Sequence, residues 1–468
     1  MHLPSGNRKW ALAGVLAIVV AAAAVFALTG SSNPPKKVAA VPPTTTTATT
    51  PPPPPPPTPT TTTPKPVRHA PPVNTVNVPF YGNHETRDRQ FTSVRSLNPP
   101  FKLAWKFGGN ALLEFPATIW RNNLYLFDDG ATAKRVNIAT GKQIWLRHVG
   151  LLSASSPSLD IAHKELFVSV LSLTGSTIGS VNGELAALSM RSGRILWRFP
   201  VPSGTESSPM VVGNSVYFGD QAGTLYSLNV KTGHENWSFS TGGSIKAGPA
   251  YHDGKLYFGN YAGSFYALNA KSGSEAWSAS PGGEFYSTPA VAYGRVYVGN
   301  NDDNVYAFDA SSGAVSWTAG LGNYVYSGPA VADIPGLGPT VYIGSYTGAL
   351  YALNAFSGGV RWSASAGGAI SGSATVVNNT VYVSTVYSPG THGFNARTGR
   401  QDFYYPDGSY TSALADSNAL FLMGKYTLYK FVPHNAKLPE PKHRHDRKHR
   451  HDRRRRHDRR RRHDRRHH

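Results

Sequence analysis

No cysteine occurs anywhere in the sequence, which excludes a disulfide framework, a thiolate metal site, a cysteine nucleophile and a lipid-accepting N-terminal cysteine. The absence says little about compartment, because a large β domain folds without covalent staples. Acidic residues are also scarce, and their distribution matters more than their number. Residues 1–77 hold six Lys or Arg and no acid, and residues 442–468 hold 15 Lys or Arg against four Asp. The formal net charge of +20 therefore belongs mostly to the two ends, leaving the main body nearly neutral. A basic groove on the body is excluded, and no specific nucleic acid is expected as a partner. Missing as well are a P-loop, a G-x-S-x-G elbow, an H-E-x-x-H helix and a dinucleotide fingerprint. Histidines outside the C-terminal tail are scattered singly, so no catalytic residue and no metal site is assigned.

One long apolar run is present. Trp10 to Leu28 carries no charge and follows Arg8 and Lys9. As a helix it spans about 28 Å, close to a bilayer core, and its positive flank places residues 1–9 in the cytoplasm. Residues 10–29 are read as a transmembrane signal anchor, giving a single-pass protein of the cell membrane with an extracytoplasmic body. Val25-Phe26-Ala27 also resembles the end of a cleaved signal peptide, and both alternatives export the rest of the chain. Residues 30–77 are rich in Pro and Thr, with seven prolines at Pro51–Pro57. Such a linker cannot bury a core and is expected to be disordered and extended, reaching on the order of 140 Å. At the other end, residues 434–468 form an Arg/His/Asp-rich basic tail with Asp446, Asp452, Asp458 and Asp464 six apart, also expected to be disordered. A polyanion is the partner its charge would suit. Chelation of a metal by His443, His445, His449 and His451 is disfavoured by the surrounding guanidiniums.

Between the ends lies a repeat. Trp105, Trp145, Trp197, Trp237, Trp277, Trp317 and Trp362 recur at 40 to 52 residues, and Phe403 follows after another 41. The unit is clearest from Ser244 onward: a small-residue strand around Gly248-Pro249-Ala250, a turn at Asp253-Gly254, a strand Lys255–Gly259, a hairpin, a strand Phe265–Ala270, and a strand carrying Trp277. Alternation and Gly-punctuated turns specify strands. An aromatic of the second strand recurs as Tyr125, Phe167, Tyr217, Tyr257, Tyr297, Tyr342, Tyr382 and Phe421, giving eight units. The last unit ends at Phe431 without its Trp, while Phe101–Phe107 supplies an orphan strand with Trp105. The fold class expected is all-β: an eight-bladed β-propeller over residues 101–433, closed by its N-terminal strand and preceded by a lead-in segment, residues 78–100.

The turn before each Trp reads NIATGKQIW (Asn137–Trp145), NVKTGHENW (Asn229–Trp237), NAKSGSEAW (Asn269–Trp277), DASSGAVSW (Asp309–Trp317) and NAFSGGVRW (Asn354–Trp362), with a weaker NARTGRQDF from Asn395. These stretches resemble the pyrroloquinoline-quinone-type propeller repeat, and Tyr81-Gly82-Asn83 with Arg87 is similar to the lead-in before such propellers. The resemblance implies one of two classes. The first is quinone-dependent alcohol or sugar dehydrogenases, which use a catalytic Asp, Ca²⁺ ligands and typically a vicinal disulfide. The second is non-catalytic propellers, such as the lipoprotein of the outer-membrane β-barrel assembly machine. Cysteine is absent, and the longer loops Leu171–Asn182 and Ile334–Thr340 hold no carboxylate cluster. Asp302 and Asp303 sit on a hairpin tip as turn residues. The non-catalytic branch is therefore preferred, with no cofactor, although this chain lacks the lipid-accepting Cys of that lipoprotein.

Columns that vary between units are free to bind. Three residues before the inner-strand proline or its equivalent, the sequence reads Leu113, Ala154, Glu206, Lys246, Tyr286, Tyr326, Ile370 and Tyr410. Tyr261, Tyr324 and Tyr346 fall on neighbouring loops. Glu206, Lys246, Tyr286, Tyr326, Tyr410, Tyr261, Tyr324 and Tyr346 are the candidate contact residues at the tunnel mouth, for a protein or a cell-wall polymer.

The tail yields a direct prediction. Retention of the full chain on anionic vesicles should exceed that of a chain ending at Pro441, fall steeply with salt because exposed charges are screened over about 8 Å, and rise as pH drops through about 6.5. Equal retention of the two chains would remove the tail as an adhesive element.

Overall fold

The computed structural model describes residues 76–438, apart from residue 92, residues 94–96, residue 110, residues 174–182 and residue 412. The expected membrane anchor, most of the linker and most of the basic tail lie outside the described residues. Among the described residues no helix is long and apolar enough to cross a membrane.

Eight antiparallel sheets are arranged as blades around a central tunnel. In the fourth, the strands are Ala250–His252, Lys255–Gly259, Phe265–Asn269 and Glu275–Ala279, from the axis outward. The second strand pairs with the third through Leu256↔Leu268, Tyr257↔Ala267 and Phe258↔Tyr266. Its side chains are buried on both faces because each blade packs against two neighbours, whereas the outermost strand alternates between solvent and core. The inner strand starts two residues later than the sequence implies. Pro249 has no N–H to enter the ladder, and its carbonyl turns instead toward the tunnel.

The repeated turn works across blade boundaries. Asn229 Oδ1 accepts from the backbone N–H groups of Lys231 and Thr232, holding the turn closed. Gly273 has φ +73°, and a Cβ there would lie 2.6 Å from the Trp237 ring of the preceding blade. That indole in turn donates from Nε1 to Ala270 O at 3.1 Å. The same N–H···O clasp joins Trp105 to Ile138, Trp145 to Met190, Trp197 to Val230, Trp277 to Ala310, Trp317 to Ala355 and Trp362 to Ala396. Tyr217, Tyr257, Tyr297 and Tyr342 add their hydroxyls to the same carbonyls as the indoles of their own blades.

Ring closure occurs in the eighth blade. Phe101–Gly108 pairs antiparallel with Thr427–Pro433, with Leu103 opposite Phe431 and Trp105 opposite Lys430. No turn joins the third and fourth strands of this blade, because they come from opposite ends of the domain. The clasp from the seventh blade changes accordingly. Phe403 stands where Trp stands elsewhere and has no N–H to satisfy, and the buried Tyr382 hydroxyl has no hydrogen-bond partner among the described residues.

The lead-in segment occupies one end of the tunnel. Its backbone bonds the inner strands of blades one, two, four, five, six and seven in turn, through Val78–Ile119, Pro79–Leu159, Glu85–Tyr251, Thr86–Val291, Asp88–Val331 and Arg89–Val376. Gln90–Phe91 adds a parallel fifth strand to the seventh blade, and Ser93 Oγ donates to Asp416 O of the eighth. Blade three is reached by a side chain. Arg87 donates to Ser208 O at 3.0 Å, to Pro249 O at 2.6 Å and to Tyr81 O at 2.6 Å. Arg89 donates to Pro329 O at 2.8 Å and to Arg87 O at 2.7 Å. Both guanidiniums are fully buried and bond to backbone carbonyls.

Removing Phe101–Gly108 should expose the edge of Thr427–Pro433 and abolish the Trp105 clasp, a loss of about 3–5 kcal/mol for the indole alone. Aggregation or protease sensitivity is the expected outcome. Unchanged thermal unfolding of the deletion would contradict this closure.

Candidate functional site

The loops joining successive blades and the second-to-third-strand hairpins share the end of the tunnel opposite the lead-in plug. They surround a funnel with a cavity volume of about 50 Å³. Glu206, Lys246, Tyr286, Tyr326 and Tyr410 all line it. Tyr261 lies 6.0 Å from Tyr286, Tyr346 lies 4.8 Å from Tyr326, and Tyr324 lies 5.8 Å from Tyr326, by ring centroids. The eight residues singled out in the sequence are thus brought to one place, and five of the six tyrosines among them form a continuous chain of ring contacts.

Two positions of the aligned column are shifted by one residue. Ile245, Phe285 and Val325 are buried residues whose N–H groups bond to Asp220, Asn260 and Asn300 carbonyls of the preceding blade. Ile370 makes the equivalent bond to Ser345 O, and Leu113 makes it to Lys425 O. Both are core residues, so the rim side chains of the seventh and first blades are Ser371 and Glu114. In the first blade Pro116 sits one residue before the marker position, which Ala117 holds, and in the seventh Ala374 replaces the proline marker. Counting from the proline therefore missed Glu114.

The polar groups are unevenly paired. Lys246 Nζ lies 3.2 Å from Glu206 Oε1, and Gln221 donates to the same oxygen at 2.6 Å. The Lys246 ammonium also sits 4.9 Å from the Tyr261 ring centroid and 5.9 Å from that of Tyr286. Burial pushes the Glu114 carboxyl up to about 7; Glu206 adds to this and Lys246 opposes it. Asp129, on the hairpin tip of the first blade, is pushed up to about 9 by burial, then by Glu114 and Asp128. Burial likewise raises the phenols of Tyr326 and Tyr410 to about 12, so the cluster is neutral at ordinary pH. Tyr81 forms the floor. Its hydroxyl bonds Ser373 Oγ, its ring meets Phe115 edge-on at 6.0 Å, and Arg89 stacks 4.9 Å from its centroid.

These residues do not fit pyrroloquinoline quinone. A planar tricarboxylate needs a cationic seat, and the cation lining the funnel, Lys246, is already paired with Glu206 while Glu114 adds negative charge. The arginines below the floor donate to backbone carbonyls, and of this pair only Arg89 Nε lacks a partner among the described residues. Among the described residues no group of three His, Asp or Glu could hold a metal ion such as Ca²⁺.

A family model described as outer membrane protein assembly factor BamB matches residues 128–245, 241–325 and 327–431, more than half of the chain. Among solved structures, BamB from Moraxella catarrhalis superposes with a TM-score of 0.58 at 15% identity, covering 72% of this chain and 99% of that one. Quinohemoprotein alcohol dehydrogenase from Comamonas testosteroni gives a TM-score of 0.60 at 13% identity, covering 79% and 82%. The computationally designed Ika8 protein gives 0.60 at 14% identity, covering 71% and 99%. At such identities the structural likenesses establish the fold alone. Comparison with curated proteins gives no match.

The raised Glu114 carboxyl makes a signed prediction. Unfolded, it ionises near 4.5; folded, it keeps its proton to about 7. Between those values the unfolded chain binds fewer protons, so stability falls as pH rises from about 4.5 to about 7. Glu114→Gln should flatten that part of the curve in urea unfolding and be the more stable protein above pH 7, by on the order of 1–2 kcal/mol. Identical slopes for the two proteins would show an ordinarily solvated carboxyl.

Proposed function

The chain belongs to the family described as outer membrane protein assembly factor BamB, and from that membership we propose that it is a non-catalytic, protein-binding scaffold of the cell envelope, using the tunnel-mouth face. The observation that carries this reading is the convergence of six tyrosines with Glu206 and Lys246 on one rim. Tyrosine offers a large, rigid contact area with a polar tip, and such residues dominate the energetics of protein contacts. Apart from Glu114 of blade one, the rest of the surface column is small, so the tyrosine-rich contact is concentrated on blades three to six and eight. Glu206, Lys246, Tyr286, Tyr326, Tyr410, Tyr261, Tyr324 and Tyr346 are its proposed contact residues. A protein suits this rim better than an anionic wall polymer, which Glu114 and Glu206 would repel. Residues 10–29 serve as the membrane anchor in this reading, with residues 30–77 as spacer and residues 101–433 as the exported propeller. The basic tail adds an independent contact with polyanions.

A photo-crosslinking amino acid placed at Tyr326 should trap a discrete protein partner in envelope extract. The same probe at Tyr293, in a turn at the other end of the strands, should not. Crosslinking that is indifferent to position would defeat the assignment of the face. Added pyrroloquinoline quinone with Ca²⁺ should give no saturable spectral change and no alcohol-dependent dye reduction; stoichiometric uptake would turn the assignment toward an oxidoreductase.

A further inference from the structure

We propose that the funnel receives one cationic side chain, an arginine or lysine, carried on an extended segment of the protein partner; this rests on the scaffold reading above. The cage already accommodates such a group. The Lys246 ammonium lies against the faces of Tyr261 and Tyr286 and is neutralised by Glu206, which is the arrangement a tyrosine cage offers a cation. That cation occupies one side only. Across the funnel, Tyr326 and Tyr410 line a second sector with Glu114, and Tyr346 stands edge-on to Tyr326. The Glu114 carboxyl makes no hydrogen bond or ion pair among the described residues, so the funnel holds a carboxyl without a counter-ion. A cationic side chain would supply the missing counter-charge.

The competing chemistries fare worse. An anionic group would meet Glu114 and Glu206, and the funnel's lysine is already paired. Above pH 7 a neutral side chain would leave the ionised Glu114 carboxyl unpaired in the funnel, which costs more than leaving it in water. The closed floor at Tyr81 makes the funnel a blind pocket, so a ligand inserts from the rim as a side chain does and does not thread through.

Binding is linked to protons. The groups that face Glu114 are Glu206, Lys246, Asp129, Tyr286, Tyr346 and Tyr410, and the tyrosines stay neutral over the range concerned. Glu114 must lose its proton to pair with the incoming cation, so affinity should rise with pH through about 7.

The full chain would be titrated by calorimetry with acetyl-arginine amide and with the neutral isostere acetyl-citrulline amide. At pH 8, saturable binding of the arginine compound is expected, with about tenfold weaker binding of citrulline, and about tenfold weaker binding of arginine to Glu114→Gln. At pH 5.5 the wild type should lose most of that advantage, while Glu114→Gln should show no pH dependence. Equal affinity for both compounds, preferential binding of acetyl-glutamate amide, or no saturation up to about 10 mM would overturn the inference. If position-specific crosslinking at Tyr326 persists in those cases, the scaffold reading stands and only the cation pocket falls. If that crosslinking fails too, both fall.

Discussion

Eight sheets around an axis must make the same junction eight times, and in this protein seven junctions share one hydrogen bond: an outer-strand indole N–H to a carbonyl in the next blade's turn. The bond itself is worth roughly 1 kcal/mol, but it fixes where a large aromatic surface lies. Everything else in the repeat serves that placement. The glycine is bare because the indole of the preceding blade lies against it, and the Asn or Asp caps the turn that presents the carbonyl. The eighth junction shows the dependence by its exception. Where the chain is broken between third and fourth strands, the indole gives way to Phe403, which seals the gap with ring contacts to Phe101, Tyr382 and Phe431 and asks for no acceptor.

Clasps on the outside leave the axis to be held by something else. Each inner strand is short, and the residue before it is often proline, so carbonyls facing the tunnel lack partners from their own sheet. The lead-in segment supplies them. Its backbone, the two buried arginines and the Ser93 hydroxyl together reach all eight blades, and Asn83, Arg87 and Arg89 adopt positive φ. Two like charges placed side by side out of water are unfavourable; burial and Arg89 both pull the Arg87 guanidinium down from its usual range. The many carbonyl acceptors are what make that placement tolerable. The plug also decides what the tunnel is, by converting a channel into a pocket with a tyrosine floor.

Legibility followed from symmetry. Blade number, strand order and closure could be read because Trp, Gly and Asn recur in register, and each recurrence has one structural cause. The lead-in was visible only as a segment; nothing in Arg87 or Arg89 announces burial, since isolated arginines ordinarily lie at the surface. The rim was readable where the proline marker holds, at Glu206, Lys246, Tyr286 and Tyr326, which all line the funnel; Tyr410 lines it too, although Ala413 stands at its marker position. It failed at Leu113 and Ile370, where a proline displaced by one residue, Pro116, and an Ala at the marker position moved the count by one. The hydrogen bond that defines the column, from the buried residue's N–H to the preceding hairpin, leaves no signature in sequence.

Symmetry in the body and asymmetry at the rim have a common origin. A clasp residue touches two blades, so changing it in one unit opens a junction and the ring with it. A rim residue touches mainly the tunnel space, and its identity is free of that constraint. Four adjacent blades, three to six, have used this freedom for Glu206, Lys246, Tyr286 and Tyr326, and blade one adds Glu114. Blades two and seven place Ala154 and Ser371 there instead. The funnel is therefore lopsided in chemistry though nearly eightfold in backbone. A lopsided pocket fixes the direction from which an inserted side chain must arrive, and with it the orientation of the whole propeller on its partner.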